Sequence, residues 1–118
     1  MEFSQSMKEN HLFRRLYRRG QSAANRYLVL YCRPNGSRCN RVGLTVSAKL
    51  GHAVVRNRLR RRLREIYRLH ESSFRRGYDF VVVARSRSVD ADYHQLEKAY
   101  LALAGRLHLL EEADKPSK

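Results

Sequence analysis

The chain has 118 residues, 42% of them hydrophobic and 31% charged, with a formal net charge of +14 and a pI near 10.7. That is enough for one domain burying about two-thirds of its unfolded surface, and too apolar for wholesale disorder. The charge points to nucleic acid before a membrane surface or an acidic protein. It is also uneven: residues 1–88 carry 21 Lys and Arg against 5 Asp and Glu, whereas residues 89–118 carry 4 against 6. The basic part is therefore the folded body.

In chain order, residues 1–7 read as a flexible leader without the apolar stretch of a secretory signal, and a single domain is expected over residues 8–110. A first helix is predicted from Lys8 to Arg19. Leu12, Phe13, Leu16 and Tyr17 form one face, Arg14, Arg15, Arg18 and Arg19 the other, and Gly20 ends it. A strand from Ala24 to Arg33 follows, with Tyr27, Val29 and Tyr31 on one face and Leu28, Leu30 and Cys32 on the other. Asn35-Gly36 reads as a hairpin turn. The return strand, Arg41 to Ser47, turns Val42, Leu44 and Val46 inward. Its other face, Arg41, Gly43, Thr45 and Ser47, is polar, and Gly43 should leave backbone accessible there. Aromatic and polar sheet faces of this kind hold single-stranded RNA.

Ser47 to His52 links to a helix that ends near Glu71. At about 100° per residue, Val55, Leu59, Leu63, Ile66 and His70 fall within about 80° of arc, one narrow apolar stripe. Asn57 and seven arginines, Arg56, Arg58, Arg60, Arg61, Arg62, Arg64 and Arg68, take most of the remaining surface. Like charges one turn apart destabilise an isolated helix, so a polyanionic partner is the economical explanation. Arg76-Gly77 turns into a third strand, Tyr78 to Arg85, apolar on both faces and hence central or parallel. Asp90 or Asp92 can cap a last helix, whose core seam is Tyr93, Leu96, Tyr100, Leu103, Leu107 and Leu110. The tail from Glu111 reads as disordered. The sum is an α+β two-layer sandwich in the order α-β-β-α-β-α.

Catalytic groups are hard to find. The acidic residues before position 89 are Glu2, Glu9, Glu65, Glu71 and Asp79, too scattered to clamp metal ions, and no histidine stands at pairing distance from them as a general acid or base. The five histidines form no metal motif, and only His52, beside Gly51 at the mouth of the basic helix, suggests a phosphate contact. Cys32 and Cys39 read as reduced structural thiols of a cytoplasmic protein. The apolar run Phe80–Ala84 is far below the roughly 20 residues of a membrane span. An RNA-binding module, a ribosomal-type protein and, more remotely, a protein nuclease stay open on these grounds.

Longer runs narrow the choice. Arg41-Val42-Gly43-Leu44-Thr45-Val46-Ser47, then Lys49, Gly51, Ala53 and Val54, then Arg56-Asn57-Arg58-Leu59-Arg60-Arg61 and Arg64, closely resemble the bacterial ribonuclease P protein subunit. Phe13-x-x-Leu16-Tyr17-x-x-Gly20, Ala24-Asn25-Arg26, Leu28-Val29-Leu30-Tyr31 and Tyr78-Asp79-Phe80-Val81-Val82-Val83-Ala84-Arg85 extend the likeness over about Lys8 to Leu110. Arg62 stands where an aliphatic is common, and Ala48 where a basic residue often sits. The resemblance implies a β-α-β crossover of left-handed sense, in a fold shared with a ribosomal-protein domain. It implies a catalytic RNA as partner, with magnesium held mainly by that RNA, and precursor tRNA as substrate, losing its 5′ leader. No protein partner and no membrane are implied. The protein would supply no catalytic residue. Leader contacts map onto Phe13, Tyr17, Tyr31 and Lys49, and catalytic-RNA contacts onto Arg56, Asn57, Arg58, Arg60, Arg61, Arg64 and Arg68. The loop that binds metal in some members offers only Glu71 and Asp79, so no metal site is expected in this chain.

Overall fold

The structure, a computed structural model, describes residues 4–6 and 10–111. Residues 1–3, 7–9 and 112–118 lie outside them, and with them most of the expected leader, the expected start of the first helix and nearly all of the expected tail. The elements are β1 (Ser4–Ser6), α1 (Asn10–Arg19), β2 (Gln21–Ala24), β3 (Leu28–Pro34), β4 (Asn40–Thr45), α2 (Ala53–His70), β5 (Tyr78–Ala84) and α3 (Tyr93–Arg106). They build one five-stranded sheet in the order β1-β4-β5-β3-β2. The α+β class and the sheet-on-helix layering follow the sequence reading.

Strand pairing departs from it in three places. The expected hairpin between β3 and β4 does not form. β5 lies between them, antiparallel to β3 and parallel to β4, so α2 is the crossover joining two neighbouring parallel strands. A local Asn-Gly signal marks a turn but cannot choose strand partners. β5 is apolar on both faces and stabilises the sheet most when it is central. The segment after β3 is pinned onto the start of β5 instead. The Asn35 amide donates to Gly77 O (2.8 Å), and its side chain donates to Cys39 O (3.0 Å) and Asp79 Oδ1 (2.9 Å). The strand expected over Ala24–Arg33 begins only at Leu28, as β3, and an unexpected strand before it, β2, pairs back on it through a turn at Asn25–Tyr27. Asn25 makes that turn by accepting from the Tyr27 and Leu28 amides (3.1 and 3.0 Å), an Asx turn. Finally, Ser4–Ser6, read as part of a flexible leader, form a parallel edge strand on β4.

Alternation assigns the two sheet faces. Leu28, Leu30, Cys32, Phe80, Val82 and Ala84 point toward α2 and α3 and form the main core with Leu59, Leu63, Ile66, Leu96, Tyr100 and Leu103. Each fully buried aliphatic there contributes about 1.5–3 kcal/mol. Tyr67 completes the α2 seam. Its ring packs edge-on against Phe74 and Phe80, with centroids 5.0 and 5.4 Å away. Its hydroxyl meets Ser4 Oγ (2.6 Å) and accepts from Asn40 Nδ2 (3.2 Å), so its polar end is satisfied in the core. α3 opens on a capping box: Asp92 accepts from the Gln95 amide and the Gln95 side chain accepts from the Asp92 amide. Of the two candidate caps, Asp92 is the one used. Among the described elements, the opposite sheet face is covered by α1, through Leu16 on Val81 with Phe13, Tyr31 and Val83 around them.

Candidate nucleic-acid interface

The stripe on α2 buries Leu59, Leu63, Ile66 and Tyr67 and turns the arginines outward. Their electrostatics are not uniform. Arg58, Arg61 and Arg64 are exposed and have no hydrogen bond or ion pair among the described residues. Arg60 donates to Asn57 Oδ1 (2.9 Å), which spaces those two side chains one turn apart. Arg68 is held by Glu65 through two hydrogen bonds of 3.0 and 2.6 Å, and this bonding holds the Glu65 carboxyl below its ordinary value. Arg56 donates to Gly51 O (3.1 Å) and so steadies the entry to the helix. Asn57, Arg60, Arg61, Arg64, Glu65 and Arg68 line an open groove of about 430 Å³. The seventh arginine, Arg62, is half-buried and turns away to donate to Ala91 O (3.3 Å). At the N-terminus, His52 is exposed and makes no capping bond, and the first turn has no acidic residue. The positive end of the helix dipole therefore adds to the arginine field.

A second surface lies where α1 crosses the sheet. On this face the register sets three residues side by side in each of three rows: Arg41, Asp79 and Arg33; Gly43, Val81 and Tyr31; Thr45, Val83 and Val29. α1 covers the middle row. Gly43 is buried, not open as the strand pattern suggested, because Phe13 lies on it: a Cβ there would sit 2.7 Å from Phe13 Cε1. Leaving the row of Thr45, Val83 and Val29 half-buried creates a cleft along the edge of the helix. Tyr17, 43% exposed, packs edge-to-face on Tyr31 with centroids 4.8 Å apart. Its hydroxyl lies 3.2 Å from Thr45 Oγ1. Two tyrosines fixed edge to face leave ring surface available to a flat, unpaired base.

Phe13, Tyr17 and Tyr31 are thus brought together. Lys49 is exposed in the 3-10 turn Ala48–Leu50, which connects the Thr45 end of the cleft to α2. Tyr27, expected beside Val29 and Tyr31, lies in the β2–β3 turn and packs toward the α3 side. Sequence reasoning also missed the end row. Asp79, 5% exposed, receives Arg41 Nε and Nη2, both at 2.7 Å, as well as Asn35. Arg41 and Thr45 were legible as outward residues of one strand, but Asp79 between Arg41 and Arg33 depends on β5 being inserted. Among the described residues, no three His, Cys, Asp or Glu side chains gather where they could hold a metal ion. No described helix is long and apolar enough to cross a membrane.

The comparisons agree with this architecture. The family model described as Ribonuclease P matches residues 1–108. The ribonuclease P protein component of Desulforamulus reducens is 49% identical over 107 residues, covering 91% of this chain and 95% of its own. That of Natranaerobius thermophilus is 41% identical over 107 residues, covering 91% and 93%. Among solved structures, the Staphylococcus aureus RNase P protein superposes with a TM-score of 0.83 at 33% identity, over 90% of this chain and 97% of that one. The Thermotoga maritima RNase P protein gives 0.80 at 30% identity, over 86% and 96%. Matched along nearly its whole length, the chain belongs to the ribonuclease P protein family.

Proposed function

We propose that this chain, as the protein component of ribonuclease P, binds the catalytic RNA on the arginine face of α2 and the unpaired 5′ leader of precursor tRNA in the cleft beside α1. The observation that carries the reading is the adjoining of two different surfaces. Unneutralised guanidinium groups at Arg58, Arg61 and Arg64 suit phosphates, while the Tyr17–Tyr31 pair, at 4.8 Å, suits bases. Asn57, Arg56, Arg60 and Arg68 complete the first surface, Phe13 and Lys49 the second. By holding the leader beside the ribozyme, the protein lowers repulsion between two polyanions and orients the scissile region. Magnesium held by the RNA supplies the hydrolytic chemistry. The described residues of this chain do not fit such a site, since Asp79 is committed to Arg41 and Asn35 and no acidic cluster that could hold a metal is found among the described residues. We place the complex in the cytoplasm.

Cleavage of precursor tRNA at limiting magnesium, compared for RNA alone, protein alone and both, tests the division of labour. The protein alone is expected to be inert, and the pair to outperform the RNA. Activity of RNA-free protein would overturn the reading. Tyr17→Ala separates it from general RNA binding. The residue is 43% exposed and lies outside the buried core, so the fold is expected to be kept. Precursor affinity is expected to fall by about 1–3 kcal/mol, the value of one stacked base, with catalytic-RNA affinity unchanged. Equal losses for both RNAs would favour a general RNA-binding module.

A further inference from the structure

The cleft does not end at Val29. Its floor continues along one row of the sheet, from Thr45 through Val83 and Val29 to Ala24, the last paired residue before the β2–β3 turn. Three strand spacings make this path about 14 Å long. Around the β2 edge, on the α3 side of the sheet, a groove of about 380 Å³ lies between the turn and the outer flank of α3. Tyr27 forms one wall and carries the Arg26 guanidinium 5.9 Å from its ring centroid. Ala99 and Ala102 form the opposite wall, with small side chains that leave the space open, and Lys98 stands exposed at the rim. The groove is built rigidly. Asn25 donates to Ala99 O (3.0 Å) and so ties the turn to α3. Arg85 donates to Asn25 O (2.8 Å) and Arg106 to Ala24 O (3.0 Å), which adds two cations to the same edge. Among the described residues, no acidic side chain lines the groove. Glu97, the acid next to Lys98, faces the other way, 2.7 Å from His70 of α2.

An apolar slot with one aromatic wall and a cationic rim matches an unpaired nucleotide, with the base against Tyr27 and phosphates at Arg26 and Lys98. We infer that this groove is a second leader subsite. It takes nucleotides of the precursor tRNA leader that lie farther from the cleavage site than those in the cleft, which begins beside the arginine helix. The inference rests on the leader occupying the cleft, and what favours the same strand over another RNA is that the Thr45–Ala24 row leads to the β2 edge, around which the groove opens.

The test is holoenzyme affinity for precursor tRNAs whose leaders end in the cleft or extend past it, with three variant proteins. Wild type is expected to bind the long leader about five-fold or more tighter than the short one, the scale of one further stacked base. Arg26→Ala combined with Lys98→Ala removes surface cations, and Ala102→Glu places a carboxylate in the slot. Both are expected to abolish the long-leader advantage and to leave short-leader affinity as in wild type. Tyr17→Ala is expected to weaken both leaders, and its failure to do so would sink the cleft reading independently. A long leader that binds no tighter than a short one, or an advantage that survives both groove variants, overturns the inference. Equal weakening of both leaders by the groove variants assigns the slot to the catalytic RNA and overturns it as well.

Discussion

Single side chains decide how the cleft is shaped, and Gly43 shows how. Alternation correctly places it on the face opposite the main core, but from sequence it reads as exposed backbone. What sequence omits is Phe13, which descends from α1 to cover it. An added methyl would meet Phe13 Cε1 and Cζ at 2.7 and 2.8 Å and Val81 Cγ2 at 3.1 Å. Gly43→Ala is therefore expected to lift the Phe13 ring, lower stability by about 1–3 kcal/mol through overpacking, and weaken precursor tRNA binding. Urea denaturation alongside a binding titration checks both parts, and unchanged values in both would show that Phe13 does not rest on Gly43. The cysteines give a second residue-scale prediction. Cys32 faces the main core, and burial pushes its thiol from 9.0 up to about 11. Because the folded value is raised, the stabilisation is fully present below the unfolded value. It is lost as pH rises from about 9 toward 11, where the unfolded chain ionises first. In native protein near neutral pH a thiol reagent is expected to titrate the half-buried Cys39 alone, and both thiols after denaturation. Fast labelling of Cys32 in the native state would contradict its burial.

At the scale of elements, helices were more legible than sheet connections. The arginine helix, its inner stripe and the α3 seam follow from 3.6-residue periodicity, which is local information. Tyr67 was missed in the stripe because its hydroxyl needs Asn40 and Ser4, partners that only the folded sheet supplies. For the same reason the β3–β4 hairpin was a misreading: turn chemistry is local, whereas the place of β5 is set by burial on both its faces. Within α2 the sequence did not rank the arginines, and the structure does. Arg68 is ion-paired with Glu65, and Arg62, Arg56 and Arg60 are oriented by hydrogen bonds to Ala91 O, Gly51 O and Asn57 Oδ1, leaving Arg58, Arg61 and Arg64 as the α2 arginines with no hydrogen bond or ion pair among the described residues. Replacing these three by Gln is expected to reduce the slope of log affinity against log salt for the catalytic RNA by about one unit per residue. Thermal stability should hold or rise, because repulsion within the helix is relieved. Titrations across a KCl series, with melting curves of the free protein, make the measurement. An unaltered slope would move the RNA contact elsewhere.

For the whole molecule, the charge of +14 sets a conflict that the partner resolves. The free protein holds its cations on one compact body, where self-repulsion opposes folding. Added salt screens that repulsion, with a Debye length of about 10 Å at 0.1 M, so the free protein should melt at higher temperature as KCl is raised. In the complex the sign reverses. RNA phosphates neutralise the α2 face, and binding to the folded state adds stability by mass action. The same salt weakens that binding: with about 6–10 phosphates engaged, affinity drops by about 10³–10⁵ between roughly 50 and 200 mM. Melting temperature of the complex should therefore fall with KCl and converge on that of the free protein. Two melting series, with and without catalytic RNA, carry the test, and curves that rise together would mean that the arginine face is neutralised within the protein and not by its partner. The Arg58, Arg61 and Arg64 to Gln variant should flatten both trends at once, since the same three groups generate the repulsion in one state and the attraction in the other.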